Sequence, residues 1–421
     1  MKYYEELPLA KVVEIGGMHI LLDSLPSGLI LRNDLGILTT DTLDGKIVNR
    51  VENPSVKVLE TRATVTPNGD YLLIFPEGEH YGSSEKKVNT MLAYRSKDKG
   101  KTWVGPTIAF NIDYNQHGFI PFIPRGTKKI YAFGTQPIQG KYTRDNGLHE
   151  NAPIGYRYSD DDGHTWSEVK LIEPFNDPSF TGMSVMRMCE TENGTWLIGA
   201  HESDFSYRPL MTRQYLLRSV DKGETWEVLP AKRHGGWYVP VYNRMDEGRP
   251  INLGKGRVLL MVRTPEGHLW SLWSYDDGKT WTDPKPTQLI HPDAPPMVFH
   301  LYNEEVLIAF HHNRFSDSHY SGLSGGKEEI MRDRSEVWFS ISTDLGETWS
   351  EPRFLFANAL YPNLDNPWRN YQCSYIDMFV DEEVINLFVP HRWQQVLHLN
   401  FKVSELLNFP TKNKLRRILE L

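Results

Sequence analysis

Short apolar runs separated by polar turn residues follow one another along almost the whole chain. Three segments show the pattern most clearly: ATVTPNGDYLLIF at residues 63–75, SVMRMCETENGTWLIGA at 184–200 and RPINLGKGRVLLMVR at 249–263. In each segment, a turn that contains glycine separates two runs typical of β-strands. The 32 Gly and 27 Pro of the chain also indicate frequent turns. The sequence therefore predicts many short strands.

An eight-residue pattern, Ser-x-Asp-x-Gly-x-Thr-Trp, occurs five times among these strands. Its serines are separated by 63, 60, 55 and 68 residues. Asp, Ser and Gly favour a tight turn, because the polar side chains bond to the backbone and glycine accepts a positive φ. The tryptophan then begins the next strand and buries its ring. The five copies are residues 96–103, 159–166, 219–226, 274–281 and 342–349.

The pattern recurs within a larger unit of four strands, named A to D in chain order. A turn joins strands A and B, a long loop leads to strand C, and the aspartate turn leads to strand D. Repeated four-stranded units at this spacing predict an all-β fold, a β-propeller with four-stranded antiparallel blades. Six such units begin with A strands expected near Thr61, Gly118, Gly182, Gly248, Met297 and Tyr371.

The N-terminal segment, residues 12–50, decides the number of blades. It either forms a seventh blade or supplies strands that close a six-bladed ring, and seven blades are slightly favoured. Residues 1–405 are predicted to form one propeller domain, although 421 residues would ordinarily suggest two to four domains. The stretch TKNKLRRILEL, within residues 406–421, predicts a C-terminal surface helix or tail with a solvated basic face.

The five repeats resemble the Asp-boxes, or BNR repeats, of the sialidase superfamily. They cover residues 96–349, and the blade pattern extends over nearly the whole chain. The resemblance implies a β-propeller but does not specify a reaction, because Asp-boxes are structural. They occur in sialidases, glycan lyases, other hydrolases and non-enzymatic propellers. The function therefore has to be argued from the site residues.

Composition and charge narrow the classes of partner. The net charge of −8 argues against a general nucleic-acid binder. Two cysteines, Cys189 and Cys373, exclude a disulfide scaffold and fit a reducing compartment. Residues 1–17 lack the apolar core of a signal peptide and no run of 18 apolar residues occurs, so a cytoplasmic protein without a membrane partner is expected. No metal or other cofactor is expected, because His-x-x-x-His, Cys-x-x-Cys and phosphate-binding glycine loops are missing.

The antiparallel order of the strands places A-strand starts and B-strand ends on one face, near the central axis. Ionisable residues recur at these positions in nearly every blade. Because arginine suits carboxylate recognition, we predict a polar pocket for an anionic, hydroxyl-rich ligand. The alternative is that the arginines only pair with Glu60, Glu247 and Glu266. The substrate-binding candidates from this register are Arg62, Arg249, Asp293, His311, Arg314, Arg369, Tyr371, His391 and Arg392.

The resemblance to sialidases implies three arginines for a substrate carboxylate, a Tyr–Glu nucleophile pair and an Asp acid. It also implies an Arg-Ile-Pro segment near the N-terminus, which this sequence lacks. The nearest string, FIPR at residues 122–125, has another order and falls within a blade. Glu247 and Asp293 are candidate carboxylates for a glycosidase.

Propellers of this superfamily also include lyases that act on rhamnose–glucuronate linkages, such as ulvan lyases. The resemblance to these lyases implies functional roles for five residues of this sequence: His117, His149, Arg213, Tyr238 and Arg263. In β-elimination a His or Tyr removes the C5 proton of a uronate, while arginines stabilise the charge that grows on its carboxylate.

Three hypotheses for the function are compatible with the sequence. A lyase acting on acidic, uronate-containing oligosaccharides is slightly favoured over an exo-acting, sialidase-like glycoside hydrolase. The third hypothesis is a glycan-binding propeller without catalysis. The catalytic candidates are His117, Arg263, Tyr238, His201 and Glu247, and Arg213 and His149 join the substrate-binding candidates.

Overall fold

The computed structural model describes most of the chain, with gaps in several loops. The described residues are 8–51, 53, 56–78, 89–112, 117–136, 151–204, 206–207, 210–302, 305–314, 333–361 and 372–420. Their architecture is an all-β propeller of six blades, each built around four antiparallel strands.

The N-terminal segment forms five short strands before the first blade. They are β1 (Val12–Ile15), β2 (Met18–Leu21), β3 (Ile30–Arg32), β4 (Ile37–Thr39) and β5 (Asp44–Arg50). The first two pair as a hairpin, whereas the other three join blades formed much later in the chain.

The first three blades follow in chain order. Blade 1 contains β6 (Lys57–Val58), β7 (Arg62–Val65), β8 (Tyr71–Gly78), β9 (Thr90–Ser96) and β10 (Val104–Asn111). Blade 2 contains β11 (Ile120–Phe122), β12 (Ile130–Thr135), β13 (Ile154–Ser159) and β14 (Lys170–Leu171). Blade 3 contains β15 (Met188–Glu190), β16 (Trp196–Asp204), β17 (Met211–Ser219) and β18 (Glu227–Leu229).

The last three blades complete the ring. Blade 4 contains β19 (Asp246–Asn252), β20 (Val258–Arg263), β21 (His268–Ser274) and β22 (Lys285–Ile290). Blade 5 contains β23 (Met297–His300), β24 (Leu307–His311), β25 (Glu336–Ser342) and β26 (Arg353–Asn358). Blade 6 contains β27 (Asp377–Asp381), β28 (Val384–His391) and β29 (Gln395–Lys402).

The N-terminal segment closes the ring instead of adding a blade. Strand β5 pairs antiparallel with β29, from Arg50 opposite Gln395 to Asp44 opposite Asn400, and so becomes the fourth strand of blade 6. Strands β4 and β3 extend the outer edge of blade 5. The favoured count of seven blades is therefore corrected to six, because β5 completes a blade that otherwise has only three strands.

The core lies between neighbouring blades, where both faces of the strands are covered. The side chains of Leu72, Leu73, Ile74 and Phe75 are all fully buried, as expected for a strand packed on both sides. The Asp-box tryptophans pack across blade boundaries. Trp103 of blade 1, for example, meets the ring of Phe388 in blade 6 edge-on, with ring centres 5.7 Å apart.

The Asp-box turns have the predicted geometry, as the first copy illustrates. The Ser96 hydroxyl accepts a hydrogen bond from Gly100 N–H at 2.7 Å, and Asp98 accepts from Thr102 N–H at 2.8 Å and from its hydroxyl at 2.6 Å. Gly100 has a φ of +79°, and a Cβ there would lie 2.3 Å from His398. The same contacts recur in the other four copies.

These turns predict a pH-dependent stability. Hydrogen bonds from Thr102 and Ser96 lower the pKa of Asp98 to about 2, below the value near 3.9 of an unfolded aspartate. The carboxylate therefore stabilises the fold fully above pH 4, and this contribution is lost as the pH falls through about 2. We expect Asp98→Asn to lower the melting temperature most near neutral pH, and to approach the wild type in acid. Thermal scans from about pH 7 to pH 2, with the exposed Asp41→Asn as control, test this, and a constant difference would contradict it.

A short helix, α1 (Lys412–Leu419), follows a six-residue 3-10 segment at Val403–Asn408 near the end of the chain. The Thr411 side chain caps α1 by accepting from Lys414 N–H, and Leu415 is buried in a cluster with Trp338 and Phe354. The division into a propeller of residues 1–405 and a tail of residues 406–421 stays a prediction. No helix in the described part of the chain is both long and apolar enough to cross a lipid bilayer.

Candidate active site

Charged side chains from several blades meet at one mouth of the central channel. Asp246 begins β19, Arg263 ends β20, and the two residues lie opposite each other in the sheet. Asp293 and Tyr375 lie in the segments that lead into β23 and β27. The predicted meeting of A-strand starts with B-strand ends is therefore observed at this mouth.

We call these groups the central cluster. It consists of Arg244, Asp246, Glu247, Arg263, Asp293, Arg334 and Tyr375. Three carboxylates thus face three guanidinium groups, and the cluster is electrically balanced.

Glu247 and Tyr375 form the centre of this cluster. The Tyr375 hydroxyl donates a hydrogen bond of 2.8 Å to Glu247 Oε1, and both residues are buried. Glu247 has a φ of +52°, and the β19–β20 register shifts between Asp246 and Arg249. An irregularity of this kind re-aims a side chain, and here it accompanies a strained backbone that holds Glu247 toward Tyr375.

Arg263 connects the three carboxylates. Its Nη1 donates to Glu247 at 2.6 Å, and its Nε donates to Asp293 at 2.7 Å and lies 3.5 Å from Asp246. Arg244 links Asp246 and Asp293 from the other side, at 2.9 and 3.1 Å. Burial disfavours the charge of Arg263, but the carboxylates outweigh it and raise its pKa well above the ordinary value.

The electrostatics make the tyrosine a protonated donor and the glutamate an ionised acceptor. Burial, and then the charge of Glu247, raise the pKa of Tyr375 well above its usual value. Burial alone would raise the pKa of Glu247, but the charge of Arg263 lowers it. A nucleophile whose hydroxyl already bonds to a base is activated at the moment it attacks, because its proton has an acceptor.

Arg334 adds a third cation beside the pair. It donates to the backbone carbonyl of Asp293 at 2.6 Å and to the Gln372 side chain at 3.2 Å. Its guanidinium carbon lies 5.9 Å from the centre of the Tyr375 ring. Arg334 and Arg263 thus bring positive charge to two sides of the Tyr375–Glu247 pair.

A second charged group, from blade 1, lies next to the central cluster. Glu60 pairs with Arg62 at 2.6 Å and with His117 Nδ1 at 2.8 Å, and all three residues are buried. The hydroxyl of Thr61 donates to the backbone carbonyl of Tyr375, which ties this group to blade 6. Burial opposes the charge of Glu60, but Arg62 and His117 lower its pKa overall.

His201 supports Glu247 instead of facing it as a charged partner. Its Nδ1 accepts a hydrogen bond from Glu247 N–H at 3.4 Å. Burial lowers the pKa of His201 to about 4, so its ring is neutral near pH 7. A neutral acceptor suits this contact, because a protonated Nδ1 would have no lone pair to offer.

Several predicted site residues make their described contacts elsewhere. The guanidinium of Arg213 stacks on the ring of Tyr238 at 3.8 Å, and Tyr238 is 39% exposed. His311 contacts Ser340, and His391 contacts Asn358 and Gln395. Arg392 donates to the Tyr361 carbonyl, and Arg314 forms ion pairs with Glu14, Asp333 and Glu336.

Other predictions cannot be placed in the fold, and the roles of all predicted site residues stay predictions. His149, Arg369 and Tyr371 lie outside the described residues. Arg125, in the string that resembled an Arg-Ile-Pro segment, pairs with Glu190 beyond the far end of β11. Within the described ranges, no group of three or more His, Cys, Asp or Glu is arranged to hold a metal ion.

Three residues of the central cluster, Tyr375, Arg334 and Arg244, are not among the candidates that the sequence pattern indicates. Arg244 precedes β19 and Tyr375 precedes β27, so both satisfy the A-strand rule once the strand starts are known. The sixth A strand was expected near Tyr371, whereas β27 begins at Asp377. Arg334 precedes β25, a C strand. Because C strands start where B strands end, the same register rule extended to C strands would have found it.

Comparison with known proteins identifies the family. A family model for the BNR repeat-like domain matches residues 120–387. The chain belongs to this family. Together with the relatives described next, the match makes the protein a BNR β-propeller of the sialidase superfamily.

The relatives of this BNR propeller include an anhydrosialidase from Macrobdella decora, 22% identical over 279 residues. That match covers 62% of this chain but 34% of the relative, so the chain spans about a third of its length. A Hadza microbial sialidase superposes with a TM-score of 0.63 at 18% identity, over 87% of this chain and 69% of that one. The intramolecular trans-sialidase from Ruminococcus gnavus gives 0.53 at 13% identity, over 85% and 97%. These structural likenesses show the shared fold.

Proposed function

We propose that the protein is a sialidase-type glycosidase that cleaves a terminal sugar bearing a carboxylate, with Tyr375 as nucleophile and Glu247 as its base. The hydrogen bond of 2.8 Å between these two buried side chains carries the proposal. The sequence resemblance implies such a Tyr–Glu pair for sialidases, and the relatives named above are sialidases and trans-sialidases.

The first chemical step is a displacement at the anomeric carbon. The Tyr375 oxygen forms a bond to this carbon while its proton moves to Glu247. The bond to the aglycone oxygen breaks, and that oxygen leaves with the electron pair and takes up a proton from solvent water. A phenol suits this role, because it adds no negative charge beside the substrate carboxylate.

The second step restores the enzyme. A hydroxyl oxygen, from water or from the substrate itself, attacks the anomeric carbon and releases its proton to solvent, which replaces the one taken up in the first step. The bond to Tyr375 breaks, and the phenol oxygen takes its proton back from Glu247. Two displacements at one carbon retain the anomeric configuration.

The cations support recognition of an acidic sugar. Arg263 and Arg334 border the Tyr375–Glu247 pair, and Arg62 lies in the adjacent blade 1 group. Arginine forks bind carboxylates in two-point contacts, and three of them match the number that the resemblance implies.

The slightly favoured lyase hypothesis is less well supported by these contacts. Tyr238, the tyrosine among its candidate residues, has the Arg213 guanidinium stacked on its ring at an exposed position. His117 is bonded to Glu60 and Ser184 through the same nitrogen, Nδ1. Elimination from uronates therefore stays a prediction, and displacement is the reaction we propose.

A mechanism-based probe tests the proposal directly. A fluorinated sialosyl fluoride should leave a covalent adduct on Tyr375, detectable by mass spectrometry of peptides, while a methylumbelliferyl sialoside should release its fluorescent aglycone. In a parallel incubation with uronate oligosaccharides, an ultraviolet-absorbing unsaturated product without sialoside cleavage would overturn the proposal in favour of the lyase. Binding of glycans without cleavage of either substrate would overturn it in favour of a non-catalytic propeller.

A further inference from the structure

Arg249 is a buried cation without a protein partner among the described residues. It lies in β19, one of the innermost strands, and has no solvent exposure. Its Nε, Nη1 and Nη2 atoms have no hydrogen-bond acceptor within the described ranges. Guanidinium groups of other channel residues, such as Arg62 and Arg187, have carboxylate partners. Arg249 therefore differs from its neighbours in the channel.

The charges that face Arg249 do not neutralise it. They belong to Arg62, Glu60, Arg187 and Asp377. Glu60 pairs with Arg62 at 2.6 Å and Asp377 pairs with Arg187 at 2.6 Å, so these four charges cancel in two pairs. One positive charge is left over, and it is that of Arg249. Burial lowers the pKa of Arg249 to about 9, which still leaves the group charged at neutral pH.

A cavity lies near this group, at the ends of the innermost strands away from the candidate active site, and Arg249 itself does not line it. It has a volume of about 300 Å³ and is lined by the far ends of the innermost strands, including Glu190, Asn252 and His300. Arg187 and Phe299 form part of its wall. The Phe299 ring lies 4.9 Å from the Arg187 guanidinium and 5.3 Å from that of Arg249. Arg249 thus contacts an aromatic ring, that of Phe299, which is itself part of the cavity wall.

We propose that Arg249 forms the base of a binding site for a small monovalent inorganic anion, such as chloride, in the central channel. A buried ionised group requires a counter-charge and hydrogen-bond partners. Among the described residues, the three side-chain nitrogens of Arg249 have neither a hydrogen-bond acceptor nor a paired carboxylate. A compact anion is favoured over a large ligand for two reasons. The uncharged ring of Phe299 borders the site, and the nearby cations Arg62 and Arg187 already have carboxylate partners. The site is independent of the proposed glycosidase activity.

Bromide replaces chloride in such sites and can be located in crystals by its anomalous scattering. Crystals of the full chain grown or soaked in sodium bromide are expected to show a bromide peak within about 3.5 Å of the Arg249 nitrogens, a hydrogen-bond distance for this larger ion. Peaks at surface lysines alone, with none at Arg249, would overturn the proposal. This measurement uses the wild-type protein and needs no variant.

Thermal unfolding provides the second test. At constant ionic strength, replacing sodium gluconate by sodium chloride is expected to raise the wild-type melting temperature by about 2 °C, because a ligand that binds only the folded state stabilises it. Arg249→Met should lose this chloride effect, whereas Arg417→Met, which removes an exposed cation from α1, should keep it. An equal chloride effect in Arg249→Met and wild type, or none in wild type, would refute the site.

Discussion

Replacing Tyr375 by phenylalanine is expected to lower kcat/KM for a sialoside by about a thousandfold or more, since the nucleophile and its proton are both removed. The change deletes one oxygen and leaves the ring in place. Glu247 loses one hydrogen bond but keeps Arg263 at 2.6 Å, so the loss of folding stability should stay within about 1–3 kcal/mol. The fluorescence of released methylumbelliferone measures the effect on activity, and urea unfolding measures the effect on stability.

A matched substitution separates this role from the general effect of losing a tyrosine hydroxyl. Tyr302 is 65% exposed, and Tyr302→Phe should leave kcat/KM within about twofold of the wild type, as for most exposed substitutions away from a site. Activity that survives in Tyr375→Phe but disappears in Tyr238→Phe would contradict the proposed nucleophile. It would point instead to Tyr238, one of the residues that the resemblance to lyases indicates.

Replacing Arg263 by leucine is expected to cost about 3–5 kcal/mol of folding stability, because it leaves buried carboxylates without their shared cation. Arg263 contacts Glu247 at 2.6 Å and Asp293 at 2.7 Å, and its side chain is only 11% exposed. The loss should shrink as the pH falls, because protonation removes the negative charge that Arg263 neutralises. Urea unfolding at several pH values measures both effects.

The comparison for Arg263 is an ion pair whose cation is exposed. Arg125 pairs with Glu190 at 3.5 Å with its own side chain 52% exposed. The backbone N–H of residue 125 still donates to Glu190 at 2.8 Å after the substitution, so Arg125→Leu should cost less than about 1 kcal/mol. Similar losses of unfolding free energy in Arg125→Leu and Arg263→Leu would show that the ion pairs of the central cluster do not stabilise the fold.

Much of the fold was predictable because its signals are local. A single box, from Ser96 to Trp103, contains the turn, the glycine with positive φ and the tryptophan that packs against the neighbouring blade. The number of blades was not predictable in the same way. It depends on the pairing of Arg50 with Gln395. The strands of the N-terminal segment are only three to seven residues long, and their sequences do not indicate which strands they pair with.

The site was predictable only in part, for a related physical reason. The strand register found Glu247 and Arg263, since both lie at strand ends within one hairpin. It did not find the partner of Glu247, because Tyr375 is 128 residues away and the start of β27 was misplaced by six residues. Glu247 also has a positive φ, which accompanies its orientation toward Tyr375. The sequence does not predict this conformation, because glutamate rarely adopts a positive φ.

The closure of the ring by β5 has a consequence for protein synthesis. The partner of Arg50 is Gln395, 345 residues later, so β5 must wait for most of the chain to be translated. At ordinary ribosomal speeds this delay is roughly 20–70 s. During that time β5 has no partner strand, and an unpaired strand presents free backbone N–H and C=O groups with which another chain can pair.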